Sequence, residues 1–189
     1  LKTIDVQLSS PDTFIVVGSH ALKEENPIVS LLTEYGNQRN EYVFSSRVNE
    51  LYYGYTNNMA VKRSVFDEQG LFLERMRGAD TLFIQKFLQR NSVDRITYCP
   101  EMSVKHLEIE KITDLYRKFF IYGCSHQRYR SIAYVRPLTN RERIDVFRKT
   151  VSRTDYSIFT ILPSFFLISF GLVMWLLGSI HGKIRPNER

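Results

Sequence analysis

The sequence predicts an α/β fold followed by a transmembrane helix, and three observations carry that expectation. Short β-rich runs, DTFIVVGS (12–19), RITYCP (95–100) and MSVKH (102–106), alternate with helical patterns. The stretch from Tyr156 to Ile180, YSIFTILPSFFLISFGLVMWLLGSI, holds no charged residue. The basic excess of the chain is confined to the block directly before that stretch.

Taken in order, Asp12–Ser19 reads as a strand closed by Gly18. NPIVSLLTEYGNQ reads as a helix, with Asn26 as cap, Pro27 in the first turn and Gly36 as the stop. ELYYGYTNNMAV is aromatic and β-prone, and Gly54 and two asparagines give it an irregular backbone. KRSVFDEQG is a short helix ended by Gly70. From Asp80 to Gln89 the apolar residues Leu82, Phe83, Phe87 and Leu88 recur near the 3.6-residue period. The next run stops as a strand at Pro100, and Met102–His106 starts another. The two cysteines, Cys99 and Cys124, fit no metal spacing and no disulfide framework, and read as reduced thiols.

The net charge of +6 divides unevenly. Residues 1–110 carry 12 Lys/Arg against 15 Asp/Glu, whereas residues 111–153 carry 11 against 3. Such a block attracts polyanions, which leaves nucleic acid and anionic lipid as rival partners. About 20 apolar residues cross a hydrocarbon core of about 30 Å, so the uncharged run is long enough to span. Its neighbourhood favours membrane lipids over nucleic acid for the basic block, which mixes Leu, Phe, Tyr and Ile with its cations. Arg141, Arg143, Arg148, Lys149 and Arg153 precede the span, and Lys183, Arg185 and Arg189 follow it. The richer side places the soluble part in the cytoplasm. The expected organisation is a body over 1–110, a basic amphipathic segment over 111–155, a transmembrane helix over 156–180 and a tail over 181–189.

Asp80 stands at the mouth of an apolar helix, after Arg77, Gly78 and Ala79. A helix cap and a catalytic carboxylate are the two readings of that position. Asn57 and Asn58 read as pocket residues or as turn chemistry. In HLEIE, extended backbone would set His106, Glu108 and Glu110 on one face as potential ligands. Arg117, Arg128 and Arg130 can reach a diphosphate or a lipid phosphate, or serve as surface charge. His20, His126 and His181 have no partner pattern that suggests chemistry.

Four segments occur in a set order: GYTNNMAVKRSVFDEQGLF, GADTLFIQKFLQRN, ITYCPEMSVKH and YRKFFIYGCSHQRYR, with the apolar run after them. Over residues 12–130 this order resembles the C-terminal half of a family 2 glycosyltransferase of GT-A fold. The resemblance implies a partial GT-A domain, an inverting reaction and Asp80 as general base. It implies Asn57, Asn58, Arg77, Gly78 and Ala79 at the acceptor side and His106 as a ligand of a divalent cation, Mg or Mn. It further implies a nucleotide-sugar donor and a glycan or lipid-linked acceptor. Ala79 departs from the commoner acidic residue and leaves Asp80 as the lone acid of its triplet. No two aspartates are separated by a single residue, so the family's Asp-x-Asp nucleotide site is expected upstream of Leu1. These 189 residues alone are expected to be inactive. The other reading of the same residues is a non-catalytic, membrane-tethered interaction module.

Overall fold

The computed structural model describes residues 2–21, 26–74, 77–105, 112–130 and 132–185. Its elements are α1 (Lys2–Ser9), β1 (Ile15–Ala21), α2 (Pro27–Ser45), β2 (Met59–Val61), α3 (Arg63–Gln69), α4 (Ala79–Leu88), β3 (Ile96–Lys105), α5 (Ile112–Tyr129), α6 (Asn140–Ser152) and α7 (Ile158–Ile184). Single 3-10 turns lie at Asn49–Leu51, Thr56–Asn58 and Val93–Arg95. The body is mixed α/β, with one long apolar helix at its C-terminal end.

β1 is the middle strand of three, paired antiparallel with β2 and parallel with β3. Alternation along β1 sends Ile15 and Val17 into the main core and Val16 to the opposite face, where Cys99, Met102 and the α1 residues Ile4 and Leu8 meet it. The main core adds Tyr35, Val43 and Phe44 of α2, Phe83, Ile84 and Phe87 of α4, and Val146 of α6. Both cysteines are buried free thiols.

Three expectations change on contact with this fold. β1 begins at Ile15 and runs through Gly18 to Ala21. A Cβ on Gly18 would lie 2.0 Å from the Met102 carbonyl oxygen, so this glycine serves close backbone approach and does not end the strand. Ile96–Lys105 do not form two strands; β3 is one strand with an irregularity. Its register jumps from Gly18↔Cys99 to Ser19↔Ser103, and the extra residues Pro100, Glu101 and Met102 bulge out. The Ser19 hydroxyl donates to the Pro100 carbonyl at 2.8 Å across that bulge. Finally, α2 does not stop at Gly36. Asn26 caps it, with Oδ1 accepting from the Ile28 N–H at 2.9 Å, and the helix continues to Ser45 because Gln38, Asn40, Val43 and Phe44 are buried beyond the glycine. Tertiary burial outweighs a glycine cost of about 1 kcal/mol.

The basic segment is two helices with different partners. α6 carries a capping box in which Thr139 and Glu142 exchange hydrogen bonds, and Arg136 clamps Glu142 through two contacts at 2.9 and 2.8 Å. Lys149 and Arg153 both reach Glu41 of α2 at 2.8 Å. Part of the basic block is therefore consumed inside the fold. α5 instead runs alongside α7 in the same direction: the Tyr116 hydroxyl donates to the Leu167 carbonyl and Gln127 donates to the Ser179 hydroxyl.

Glycines set that pair. A Cβ on Gly178 would lie 1.9 Å from the Phe120 carbonyl oxygen, and one on Gly123 would lie 2.0 Å from that of Trp175. α7 buries Thr160, Ser164, Gly171, Gly178, Ser179 and Gly182 and turns its large side chains outward. Phe159 is 85% exposed and Phe166 62%. A water-soluble core helix does the reverse. α7 is long and apolar enough to cross a membrane.

The two kinds of glycine predict opposite effects from the same change. Gly178→Ala should destabilise the protein in detergent by about 1–3 kcal/mol, because backbone blocks the new methyl. Gly36→Ala, where a Cβ would meet nothing within 4 Å, should stabilise it by about 0.5–1 kcal/mol. Denaturation midpoints read both, and effects of equal sign would contradict this packing.

Candidate functional site

α4 starts where it does because Gly78 takes a left-handed conformation, φ 84° and ψ 2°, which favours glycine. Its carbonyl accepts from the Leu82 N–H at 2.9 Å, closing the first helical turn. Ala79 is the first helical residue and Asp80 the second. The Asp80 side chain turns back on the helix end, and its Oδ1 accepts from the Thr81 N–H at 2.8 Å. The Thr56 N–H, in the 3-10 turn before β2, lies near enough to the same carboxyl to favour its charge. Gly54 makes this approach possible, since a Cβ there would lie 2.5 Å from the Asp80 carbonyl oxygen.

Burial pushes the Asp80 carboxyl above the usual carboxylate range. The N–H groups of Thr81, Thr56 and Asp80 itself, and then the Arg77 charge, oppose that shift without cancelling it. Desolvation thus outweighs the donors at this helix end. The Tyr129 ring of α5 closes the other side and would lie 2.6 Å from a Cβ on Gly78. Its hydroxyl is pushed up to about 12 by burial and by the Asp80 charge. Arg77 is exposed, with its guanidinium 5.8 Å from the centre of the Tyr122 ring.

The structure brings Arg77, Gly78, Ala79 and Asp80 together with the turn that bears Asn57. Asn57 is exposed, and its Oδ1 lies 3.2 Å from Nε2 of His20, which packs on the Tyr55 ring. Asn58 faces away from that group. Its amide nitrogen is buried and donates to the Ser19 and Met102 carbonyls at 2.5 and 2.7 Å, stitching β1 to the β3 bulge. A pocket role for Asn58 gives way to a structural one, because both of its amide protons are used. His106, Glu108 and Glu110 lie outside the described residues. Among the described residues no three His, Cys, Asp or Glu side chains converge as ligands of a cation. The groups around Asp80 are backbone donors and a neutral tyrosine, which do not suit a cation, so no chemical step is assigned to one.

Two cavities adjoin these elements. One, of about 560 Å³, is lined by His20, Glu34, Asn37, Ser103 and Tyr156 among others. The other, of about 250 Å³, lies between the end of α5 and α7 and is lined by His126, Arg130, Trp175 and Ser179. Asp80 lines neither. Gly54, Thr56 and Tyr129 carry no sequence signal for their roles; two act through backbone, and the third arrives from a distant helix. Compared with protein-family models, curated proteins and solved structures, the chain matches none.

Because the folded Asp80 has a raised pKa, its ionised form lowers stability at pH above that value. The cost fades as pH falls toward the unfolded carboxylate pKa of about 3.9. Asp80→Asn should therefore raise the unfolding midpoint at pH 7 and give no gain below about pH 4. Measured midpoints that fall at pH 7 would show that the donors outweigh burial.

Proposed function

We propose that the chain is the acceptor-side part, with membrane attachment, of an inverting glycosyltransferase resembling family 2 enzymes. The observation that carries the reading is the Asp80 carboxyl. It is half-buried, raised in basicity, bonded by the Thr81 N–H and approached by the Thr56 N–H of a separate element at the start of α4. The ordered motifs around it support the same conclusion.

In this mechanism the acceptor hydroxyl gives its proton to the Asp80 carboxylate. Its oxygen attacks the anomeric carbon of a nucleotide-activated sugar. The bond from that carbon to the nucleoside diphosphate breaks, and the electron pair leaves with the diphosphate. Attack opposite the leaving group inverts the anomeric centre. A general base contributes about 10²–10⁴-fold, and a raised pKa makes it stronger. Thr81 orients the carboxylate through its N–H group, the nearby Thr56 N–H favours its charge, and Tyr129 shields it from water. Arg77 and Asn57, both exposed, would meet a phosphate or a sugar hydroxyl of the substrates. α5 connects this centre to α7, which suits a glycan or lipid-linked acceptor presented at a membrane. The larger number of cations before α7 than after it favours a cytoplasmic body.

A second reading, a non-catalytic membrane-tethered interaction module, draws on one observation: Asp80 lines neither cavity. One experiment separates the two. In membranes bearing the full-length protein, supplied with a panel of nucleotide sugars, Asp80→Asn should cut nucleoside diphosphate release by at least about 10²-fold. Donor binding should stay near that of the parent. Turnover close to normal would remove Asp80 from the chemistry.

A further inference from the structure

We infer that α7 lies in the plane of one membrane leaflet and does not cross the bilayer. The inference rests on the membrane attachment proposed above. Three observations carry it.

The first is the face that α7 leaves open. Phe159, Phe166, Phe170, Val173, Leu177 and Ile180 recur at helical spacing on one side and are between 47% and 85% exposed. At 1.5 Å per residue the 27-residue helix makes a ridge about 40 Å long. The second is that the opposite face is covered from end to end. Tyr156, just before the helix, bonds Ser30 of α2 at 2.8 Å, Phe165 packs on Phe147 of α6, Ile168 joins the main core, and α5 takes over to Gly182. A helix attached along its whole length cannot enter a bilayer upright without taking its partners with it.

The third observation is charge. Gly171, the midpoint of α7, sits against the Phe119 ring of α5. Arg117 is two residues away on α5, about 3 Å along the axis, and is exposed. If α7 crossed, Arg117 would stand at the middle of the hydrocarbon, the costliest depth for a charge. With α7 in plane, only the apolar ridge dips into the leaflet, and α5 rides above it in water and headgroups. The cations at both ends of α7 fit this arrangement, since both ends then face the same compartment.

Sidedness tests it. In the full-length protein with Cys99→Ala and Cys124→Ala, single cysteines are placed by Asp155→Cys and Lys183→Cys, at exposed positions flanking the ridge. Right-side-out and inside-out vesicles are treated with a membrane-impermeant maleimide, and recovery in the membrane fraction checks attachment. Both cysteines should react in the same vesicle orientation, to within about twofold. A Lys183→Cys variant that reacts only from the face opposite to Asp155→Cys, or from neither face before detergent is added, overturns the inference. Recovery of the parent protein in the soluble fraction removes the membrane attachment itself. Asp80→Asn turnover has no bearing on labelling, so the catalytic reading and this one fail separately.

Discussion

The contact between α5 and α7 is the constraint on which the remainder depends. It is made of backbone: where Gly123, Gly178 and Gly182 stand, the nearest atoms across the interface belong to main chain. Small residues allow such approach, and the dispersion gained along a parallel helix pair holds it without large interlocking side chains. The large side chains of α7 are displaced to its other face, where lipid suits them. α5 is thereby fixed between α7 and the body, and its C-terminal Tyr129 is delivered to Gly78. Substituting either glycine face would release α5, and with it one wall of the space around Asp80.

Around Asp80 two effects oppose each other. Burial raises the cost of charge, and donors from two elements reduce it. A base benefits from that balance, because a carboxylate fully satisfied by donors is a weak one. The donors come from backbone, so their placement depends on Gly54 and on the Thr56–Asn58 turn and not on flexible side chains. Asn58 anchors the same turn to the sheet through two carbonyls. The sheet bulge, the turn and the helix end thus form one connected polar unit.

How much of this was legible in the sequence follows from locality. The Asn26 cap, the Gly70 stop, the start of α4 and the apolar run are local chemistry, and each lies where the residues indicated. Gly36 misled because a helix stop needs a left-handed glycine, and burial of Gln38 through Phe44 keeps this one helical. Pro100 misled because a bulge admits a proline inside a strand. α1 carries too weak a pattern to announce itself. The partition of the basic block could not be seen, since Glu41, which takes up Lys149 and Arg153, is far away in the chain. Of the candidate site, the helix end at Gly78–Asp80 was legible as local chemistry. Thr56, Gly54 and Tyr129 were not, because backbone donors and long-range ring contacts leave no motif.

The central claim is that α7 is an inverted helix, with lipid on its large-residue face and protein on its small-residue face. Site-specific photo-crosslinking in native membranes tests it most directly. A benzophenone amino acid at Phe166 or Phe170 should capture phospholipid, and one at Trp175, whose ring meets His126 of α5, should capture protein. Phospholipid captured equally from all three positions, or from none, would contradict the account.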